Sequence, residues 1–326
     1  MTIKLTDVAK LAGVSPTTVS RVINNYGYLS QKTIDKVNRA MEELNYQPNT
    51  LARSLQGKGT KLIGLIFPSV ANPFYGELIE TMENYLFEKG YKVILCSSAD
   101  NKEKEREYLR MLAANKVDGI IAGAHNLGIA EYEKVGLPIV AFDRFLSDSI
   151  PIVSSDNFAG GKLATEMLYQ SGARKIAILT GTNQSNSPTN SRLEGYLETV
   201  KAYELEALVF DFPSEMSKNL KALRIQKLLK NEEVDGIFCT DDLTAVLVMN
   251  EAEHLGISVP DQLKLIGYDG TRFIQDYFPQ LSTIRQPITD CAMLLVNLLI
   301  QRIETKEAVL EKSYTLPIKY VKGEST

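Results

Sequence analysis

The chain has 326 residues, 44% of them hydrophobic, which is enough to fill the cores of two or three domains. A net charge of -4 excludes a protein that is basic throughout, but the charge is unevenly placed. Residues 1–60 hold eight Lys/Arg and four acids, leaving 28 basic and 36 acidic side chains for the rest: a basic head on an acidic body, as expected when only the head meets phosphates.

Three short helices are predicted in residues 1–48. Thr6 is placed to cap the first, and Gly13, free to turn left-handed, to close it. Ser15 caps the second, and Pro16 suits its first position, where no amide hydrogen is needed. Along that helix Val19, Val22 and Ile23 share one face, while Thr17, Thr18, Ser20, Arg21 and Asn25 share the other, with no acid among them. Ser30 caps the third helix, whose Ile34, Val37, Met41 and Leu44 form an apolar stripe before Asn45 and Pro48 end it. Val8, Leu11, Val19 and Val22 would complete a small core with that stripe. Taken alone, the second helix would pass for an ordinary amphipathic surface helix. Two helices joined by a turn containing Gly, the second polar on its outer face, describe a helix-turn-helix.

The run TDVAKLAGVSPTTVSRVIN, followed by YQPNTLARSL, resembles the DNA-binding head and hinge of the lactose-repressor (LacI/GalR) family of bacterial transcription regulators, and the likeness continues to about residue 320. The resemblance implies that Thr17, Thr18 and Arg21 read base edges, Arg21 as a bidentate partner for guanine. It places Thr6, Ser15, Ser20, Asn25 and Tyr46 on the phosphates. Residues 49–60 then form the hinge. Asn49 to Gln56 reads as a helix capped by Asn49 and closed by Gly57, too short to persist alone, since isolated helices need roughly 12–15 residues. In the family, the two hinge helices of a dimer pair in the minor groove. Leu55 matches the leucine that wedges into the central base step, Ala52 is small enough for close approach, and Arg53 can meet phosphate. Such a marginal helix is expected to act as a switch that folds over DNA and melts when the bodies part.

Residues 61–326 alternate apolar runs with amphipathic segments. Strands are predicted at Leu62–Phe67, Val93–Cys96, Gly119–Ile121, Ile139–Phe142, Ile176–Leu179, Ala207–Phe210, Gly236–Cys239 and Leu265–Gly267. This alternation argues for parallel sheets covered by helices on both faces, and the paired VDGI runs at Val117 and Val234 suggest two similar subdomains. The resemblance implies a body like periplasmic sugar-binding proteins, with an N subdomain of about 61–157 and 288–313 and a C subdomain of about 158–286 and 314–326. Crossings are expected near Asp156–Gly160, Gln286–Ile288 and Ser313. The expected fold is a small all-α helix-turn-helix domain plus an α/β periplasmic-binding-protein-like body of two parallel-sheet subdomains.

Ligands on such sheets bind beyond the carboxyl ends of the strands. Those ends carry Asn72, Phe74 and Tyr75, then Asp143 and Arg144, Asp156 and Asn157, Arg192, Phe212, Asp241 and Asp242, and Asp269. Carboxylates to accept hydroxyl hydrogens, Arg and amide donors, and aromatic faces are what a sugar needs. The resemblance carries Phe74, Tyr75, Asp143, Arg192, Phe212, Asp241 and Asp269 across as effector contacts, Arg192 and Asp269 first, and Arg144 joins them by position. Asp242 reads as a helix cap. The loop 182–191 lacks a second basic residue, which favours a neutral or lightly charged sugar over a nucleotide-like anion.

Catalysis is not expected. The two histidines, His125 and His254, lie far apart in sequence, and neither a phosphate-cradling loop nor a dinucleotide fingerprint occurs, so no cofactor is implied. Cys96, Cys239 and Cys291 lack metal-site spacing and fit buried, reduced thiols. The amino terminus has no apolar run of signal-peptide type. The stretch Cys291–Ile300 is too short to span a bilayer and is broken by Asn297, so a cytoplasmic, nucleoid-associated protein without membrane contact is expected.

The tract PIVAFDRFLSDSIPIVSSDNFAGG, with LARSLQGKGTKLIGLIFP, is similar to family members that control sucrose operons in Gram-positive bacteria. The expected function is a sugar-responsive repressor that binds a near-palindromic double-stranded operator as a homodimer. Sucrose, fructose or a phosphorylated form would release it. The alternatives are a global catabolite regulator of the same family with a phosphocarrier protein as corepressor and, more remotely, a sugar-binding protein for transport. The ending KGEST, without leucine heptads, predicts a dimer rather than a tetramer.

Overall fold

The computed structural model describes residues 3–24, 26–47, 59–99, 101–124, 126, 130–181, 188–213, 216–305 and 310–326. The chain forms two compact units, Met1–Thr60 and Lys61–Thr326.

The first unit holds α1 (Leu5–Ala12), α2 (Pro16–Ile23) and α3 (Gln31–Glu43). Gly13 closes α1 in the left-handed conformation, φ 67°. Ser15 and Ser30 cap α2 and α3 by accepting from the Thr18 and Thr33 amides at 3.1 and 3.3 Å. Thr6 is not the cap expected of it. α1 begins two residues earlier, with Lys4 at the cap position and the Asp7 carboxylate accepting from the Lys4 amide at 2.8 Å. The core is Val8, Ala9, Ala12, Val19, Val37 and Ala40, with Val22, Ile23, Met41 and Leu44 packed against it. Leu11 is left out of that core at 45% exposed. The inward stripe of α1 is Leu5, Val8, Ala9 and Ala12, and Leu11 falls outside it at helical spacing.

The second unit contains two sheets. In the first, β1 (Leu62–Phe67), β2 (Lys92–Ser97), β3 (Gly119–Ala122), β4 (Ile139–Phe142), β5 (Ile152–Ser155) and β11 (Ser313–Leu316) lie in the order β11-β5-β4-β3-β1-β2, all parallel. α4 (Pro73–Glu88) and α12 (Ile288–Glu304) cover one face. α5 (Lys102–Ala114) and the short α6 (Glu131–Lys134) cover the other. In the second, β6 (Ile176–Thr180), β7 (Leu208–Asp211), β8 (Gly236–Cys239), β9 (Lys264–Asp269), β10 (Ser282–Arg285) and β12 (Lys319–Val321) lie in the order β12-β10-β9-β8-β6-β7, parallel except for β12. α7 (Asn157–Gln170) and α8 (Ser191–Ala202) pack on one face, α9 (Lys218–Asn231) and α10 (Asp242–His254) on the other. α11 (Arg272–Tyr277) follows β9. This is the expected fold class, and the eight predicted strands all form within a residue or two of their expected limits.

The chain passes between the sheets at Asp156, at Gln286–Pro287 and at Pro317–Ile318. The third passage comes later than the expected Ser313, because residues 313–316 stay in register beside β5 as an edge strand of the first sheet. Cys96, Cys239 and Cys291 are free, reduced and buried. Among the described residues no helix is long and apolar enough to cross a membrane.

Helices α7 and α8 approach closely because Gly161 and Gly195 lie between them, while Gly160 makes room for the Tyr268 ring. A Cβ on Gly161 would collide with the Arg192 backbone carbonyl, and one on Gly195 with that of Phe158. Gly161→Ala is expected to lower the stability of this unit by about 1–3 kcal/mol through overpacking. Urea unfolding followed by circular dichroism measures the loss.

Candidate functional site

The amino-terminal unit presents a polar helix face. Thr17 and Arg21 on α2 are exposed, Thr18 and Ser20 half-buried, while Val19 opposite them is fully buried. Thr18 shares a 2.9 Å hydrogen bond with the Ser15 hydroxyl, so the cap also orients a side chain of the reading face. Arg21 is folded back, its Nε donating to the Tyr26 carbonyl at 3.2 Å. Ser20 Oγ accepts from Asn24 Nδ2 at 3.3 Å, Thr6 and Ser15 are exposed, and Tyr46 packs half-buried on the core. Tyr28, 94% exposed in the turn after α2, was missed by sequence reasoning. An aromatic ring with no packing role would suit a phosphate or sugar contact. Asn25 and the hinge residues Asn49, Ala52, Arg53 and Leu55 lie outside the described residues.

In the body, the carboxyl ends of both sets of strands converge on the three passages. Arg192 is the centre. It is the second residue of α8, 7% exposed, and lies flat over the Tyr268 ring, 3.7 Å from its centroid. Its Nε donates to Asn157 Oδ1 at 2.7 Å and its Nη1 to the Thr240 carbonyl at 2.7 Å. Asn157 Nδ2 donates in turn to Asp143 Oδ1 at 3.2 Å, a relay from the C subdomain to the N subdomain through the first passage. A second relay runs through Gln286, whose Nε2 donates to Asp269 Oδ1 at 2.7 Å while its Oε1 accepts from Ser155 Oγ at 2.5 Å. Both amides sit at passages, where few side chains must serve two subdomains. Sequence reasoning put Asn157 near the site and Gln286 at a crossing, and missed Tyr268 and Ser155, which carry no sign of their role until the sheets are set side by side.

Asp143 and Asp269 share two features. Each ends a strand with positive φ, 48° and 119°, strain of the kind that collects at functional sites. Each is buried, and burial raises its pKa, to about 6 for Asp143 and about 7 for Asp269, although Arg192 pulls both down. Burial works against the Arg192 charge too, but Tyr268, Asp269 and Asp143 outweigh it and its pKa rises. Phe74 is buried, packed on Phe142 at 5.8 Å and edge-on to Tyr75 at 5.4 Å. Asn72 holds the pair at the start of α4 by accepting from the Phe74 amide. Phe212, 6% exposed, packs in the core beneath β7.

Two expectations are corrected. Arg144 does not join this group. Its guanidinium turns into the N subdomain, where it pairs with fully buried Glu105 at 2.9 Å, donates to the carbonyls of Ala124 and Asn126, and stands 5.5 Å from the Tyr132 ring. Consecutive residues at a strand end point opposite ways, so Asp143 and Arg144 cannot both face the cleft. The cap expected at Asp242 is Asp241 instead, for a related reason. Asp241 is the cap of α10, with Oδ1 accepting from the Thr244 amide and Oδ2 from its hydroxyl, both at 2.7 Å. Asp242, 2% exposed, is a structural tie that accepts from the Gly270 amide at 2.7 Å and the Thr283 hydroxyl at 2.6 Å.

A separate groove of about 430 Å³ lies between α4, α11 and α12. Arg272 crosses it from the C subdomain, its amide donating to Glu77 at 2.8 Å and its Nη2 to Glu80 at 3.0 Å. Its side chain is 62% exposed, so the guanidinium pairing is worth under about 1 kcal/mol. No His/Cys/Asp/Glu cluster suited to a metal ion occurs among the described residues.

Comparison with known proteins places both units. Residues 4–49 match the family model for bacterial regulatory proteins of the lacI family, and residues 165–326 that for a periplasmic binding protein-like domain. The chain is 58% identical over 320 residues to a sucrose operon repressor of Pediococcus pentosaceus, covering 98% of each chain. A periplasmic binding protein/LacI transcriptional regulator from Alkaliphilus metalliredigens complexed with D-xylulofuranose is 35% identical, with TM-score 0.75 over 82% of this chain and 99% of that one. A lac repressor dimer bound to operator and the anti-inducer ONPF is 26% identical, with TM-score 0.84 over 100% and 99%.

Proposed function

The chain belongs to the lacI family of bacterial regulatory proteins, and from that premise we propose that it represses a sucrose operon as a homodimer and leaves its operator when a sugar closes the cleft. Sugar-responsive repression of an operon is a binding function and no enzymatic step belongs to it. The observation that carries this reading is that the likeness to sucrose operon repressors, 51–58% identical, runs through head and body together. Reading face and effector cleft are both covered by it.

A ligand that touches Tyr75 and Asp143 on one side and Arg192 and Asp269 on the other gains its full set of contacts only with the subdomains together. It therefore favours whichever conformation brings them together, by no more than its difference in affinity for the two. A hundredfold loss of operator affinity needs about 2.7 kcal/mol of such coupling. The passages at Asp156, Gln286–Pro287 and Pro317–Ile318 are where the change of angle is absorbed. It reaches the DNA through residues 49–58, where Leu55 is proposed to wedge into the minor groove in the manner of the family. Two-fold symmetry of the dimer sets a near-palindromic operator. The protein acts in the cytoplasm on nucleoid DNA, needs no cofactor, and takes a sugar as its small-molecule partner.

Operator gel shift with and without sucrose or fructose tests this. Sugar should release the DNA, and Arg21→Ala should weaken operator binding by about tenfold or more, since a bidentate base contact is worth roughly 1–3 kcal/mol. No release by any sugar would overturn the reading. Stimulation of operator binding by a phosphocarrier protein would move the chain to the catabolite regulators instead.

A further inference from the structure

We propose that the cleft takes an uncharged sugar and rejects the phosphate esters of the same sugar, a refinement that rests on the sugar-responsive reading above. The observation is the balance of charge where the strand ends meet. Asp143 and Asp269 lie beside Arg192, and Asp241 acts on Asp269 from the start of α10. Asp242 is buried close by, and burial and then the Asp269 charge push its carboxyl well above the usual range. Arg192 is the cation these carboxylates share, and two of its nitrogens already serve Asn157 and Thr240. Lys221 on α9 reaches no nearer than the Thr244 hydroxyl, at 3.4 Å, the same hydroxyl that donates to Asp241. Arg144 is consumed by Glu105. The loop sequence 182–187 supplies neither Lys nor Arg.

Helix amino termini are the other common means of holding a phosphate, and three of the four that start near the strand ends are already capped. The first-turn amides of α4, α7 and α10 already donate to Asn72, Asp156 and Asp241, and two of those three caps are themselves anionic. The start of α8 has no side-chain cap, but Glu194 in its first turn opposes an anion there. A phosphate in the cleft would meet more negative than positive charge at low dielectric. A neutral sugar meets what it requires: carboxylates to accept from hydroxyls, the remaining guanidinium nitrogen Nη2 to donate, and the Tyr75 and Phe74 edges against its C–H surface.

The discrimination should depend on pH in a definite direction. Raising the pH ionises Asp143 and Asp269, which titrate at about 6 and 7, against the single charge of Arg192. A phosphate monoester gains its second charge over the same range. Rejection of the ester therefore grows from acid to alkaline solution.

The test is calorimetric titration of the full chain with sucrose and fructose, and with sucrose 6-phosphate, fructose 1-phosphate and fructose 6-phosphate. At about pH 8 a neutral sugar should bind at least tenfold tighter than its esters, and at about pH 5.5 the gap should narrow. Asp143→Asn should narrow it at about pH 8 as well, and Asp241→Asn, whose amide oxygen still caps α10, serves as a second variant. An ester that binds as well as its parent sugar overturns the proposal and leaves sugar-responsive repression standing. An unchanged gap in both variants overturns the charge argument. If neither sugars nor esters bind at millimolar concentration, the sugar-responsive reading itself falls, and this refinement with it.

Discussion

Arg192→Ala is expected to leave operator binding at its original strength while weakening sugar binding by about a hundredfold, roughly 2.7 kcal/mol. The guanidinium joins Asn157 and the Thr240 carbonyl, faces Asp143 and Asp269, and covers Tyr268, so its loss removes a donor, a counter-charge and a packed surface together. The carboxylates change as well. Burial holds both above the ordinary value of 3.8, and Arg192 is the largest opposing influence on each. Without it they stay protonated to higher pH. A carboxyl whose folded pKa lies above its unfolded value costs stability as the pH climbs from the unfolded value through the folded one. Removing Arg192 extends that window upward, so the variant should lose more stability relative to the original at about pH 8 than at about pH 5.5. Calorimetry with sugar, gel shift with operator and urea unfolding at the two pH values measure the three effects. Normal release of the variant from DNA by sugar would mean the effector sits elsewhere.

Arg144→Met is expected to reduce the stability of the body by about 3–5 kcal/mol, because it leaves the buried Glu105 carboxyl without its cation. Glu105 is fully buried and is also held by the Tyr132 hydroxyl at 2.6 Å and Asn126 Nδ2 at 2.5 Å, contacts that satisfy its oxygens but not its charge. Pairing the change with Glu105→Gln should recover part of the loss, since the buried charge goes with its partner. Chemical unfolding followed by far-ultraviolet circular dichroism suits a chain with no tryptophan. Arg144 also ties the chain at Ala124 and Asn126 and fixes the residue after Asp143. The single variant should therefore lose sugar affinity too, in spite of touching no sugar. A loss under about 1 kcal/mol would place the pair among those that contribute little.

The sequence by itself determined the elements and their order. The Ser15–Pro16 start of α2, the Gly13 turn and eight apolar runs are local signals, set by backbone preference and by which side chains must leave water. β5, β10, β11 and β12 escaped notice because they are short and mixed in polarity, and they are strands only because a neighbour offers a ladder. Charges and carboxyl ends marked where a site could lie, and Arg192 and Asp269 are in it. Which of two adjacent residues faces the cleft was decided by tertiary structure alone. Asp143 or Arg144, and Asp241 or Asp242, are indistinguishable by composition, and the choice turns on what waits on each side: Glu105 inside for Arg144, Gly270 and Thr283 inside for Asp242. A buried polar group goes where its partner is, and partners distant in the chain are fixed only when the sheets pack.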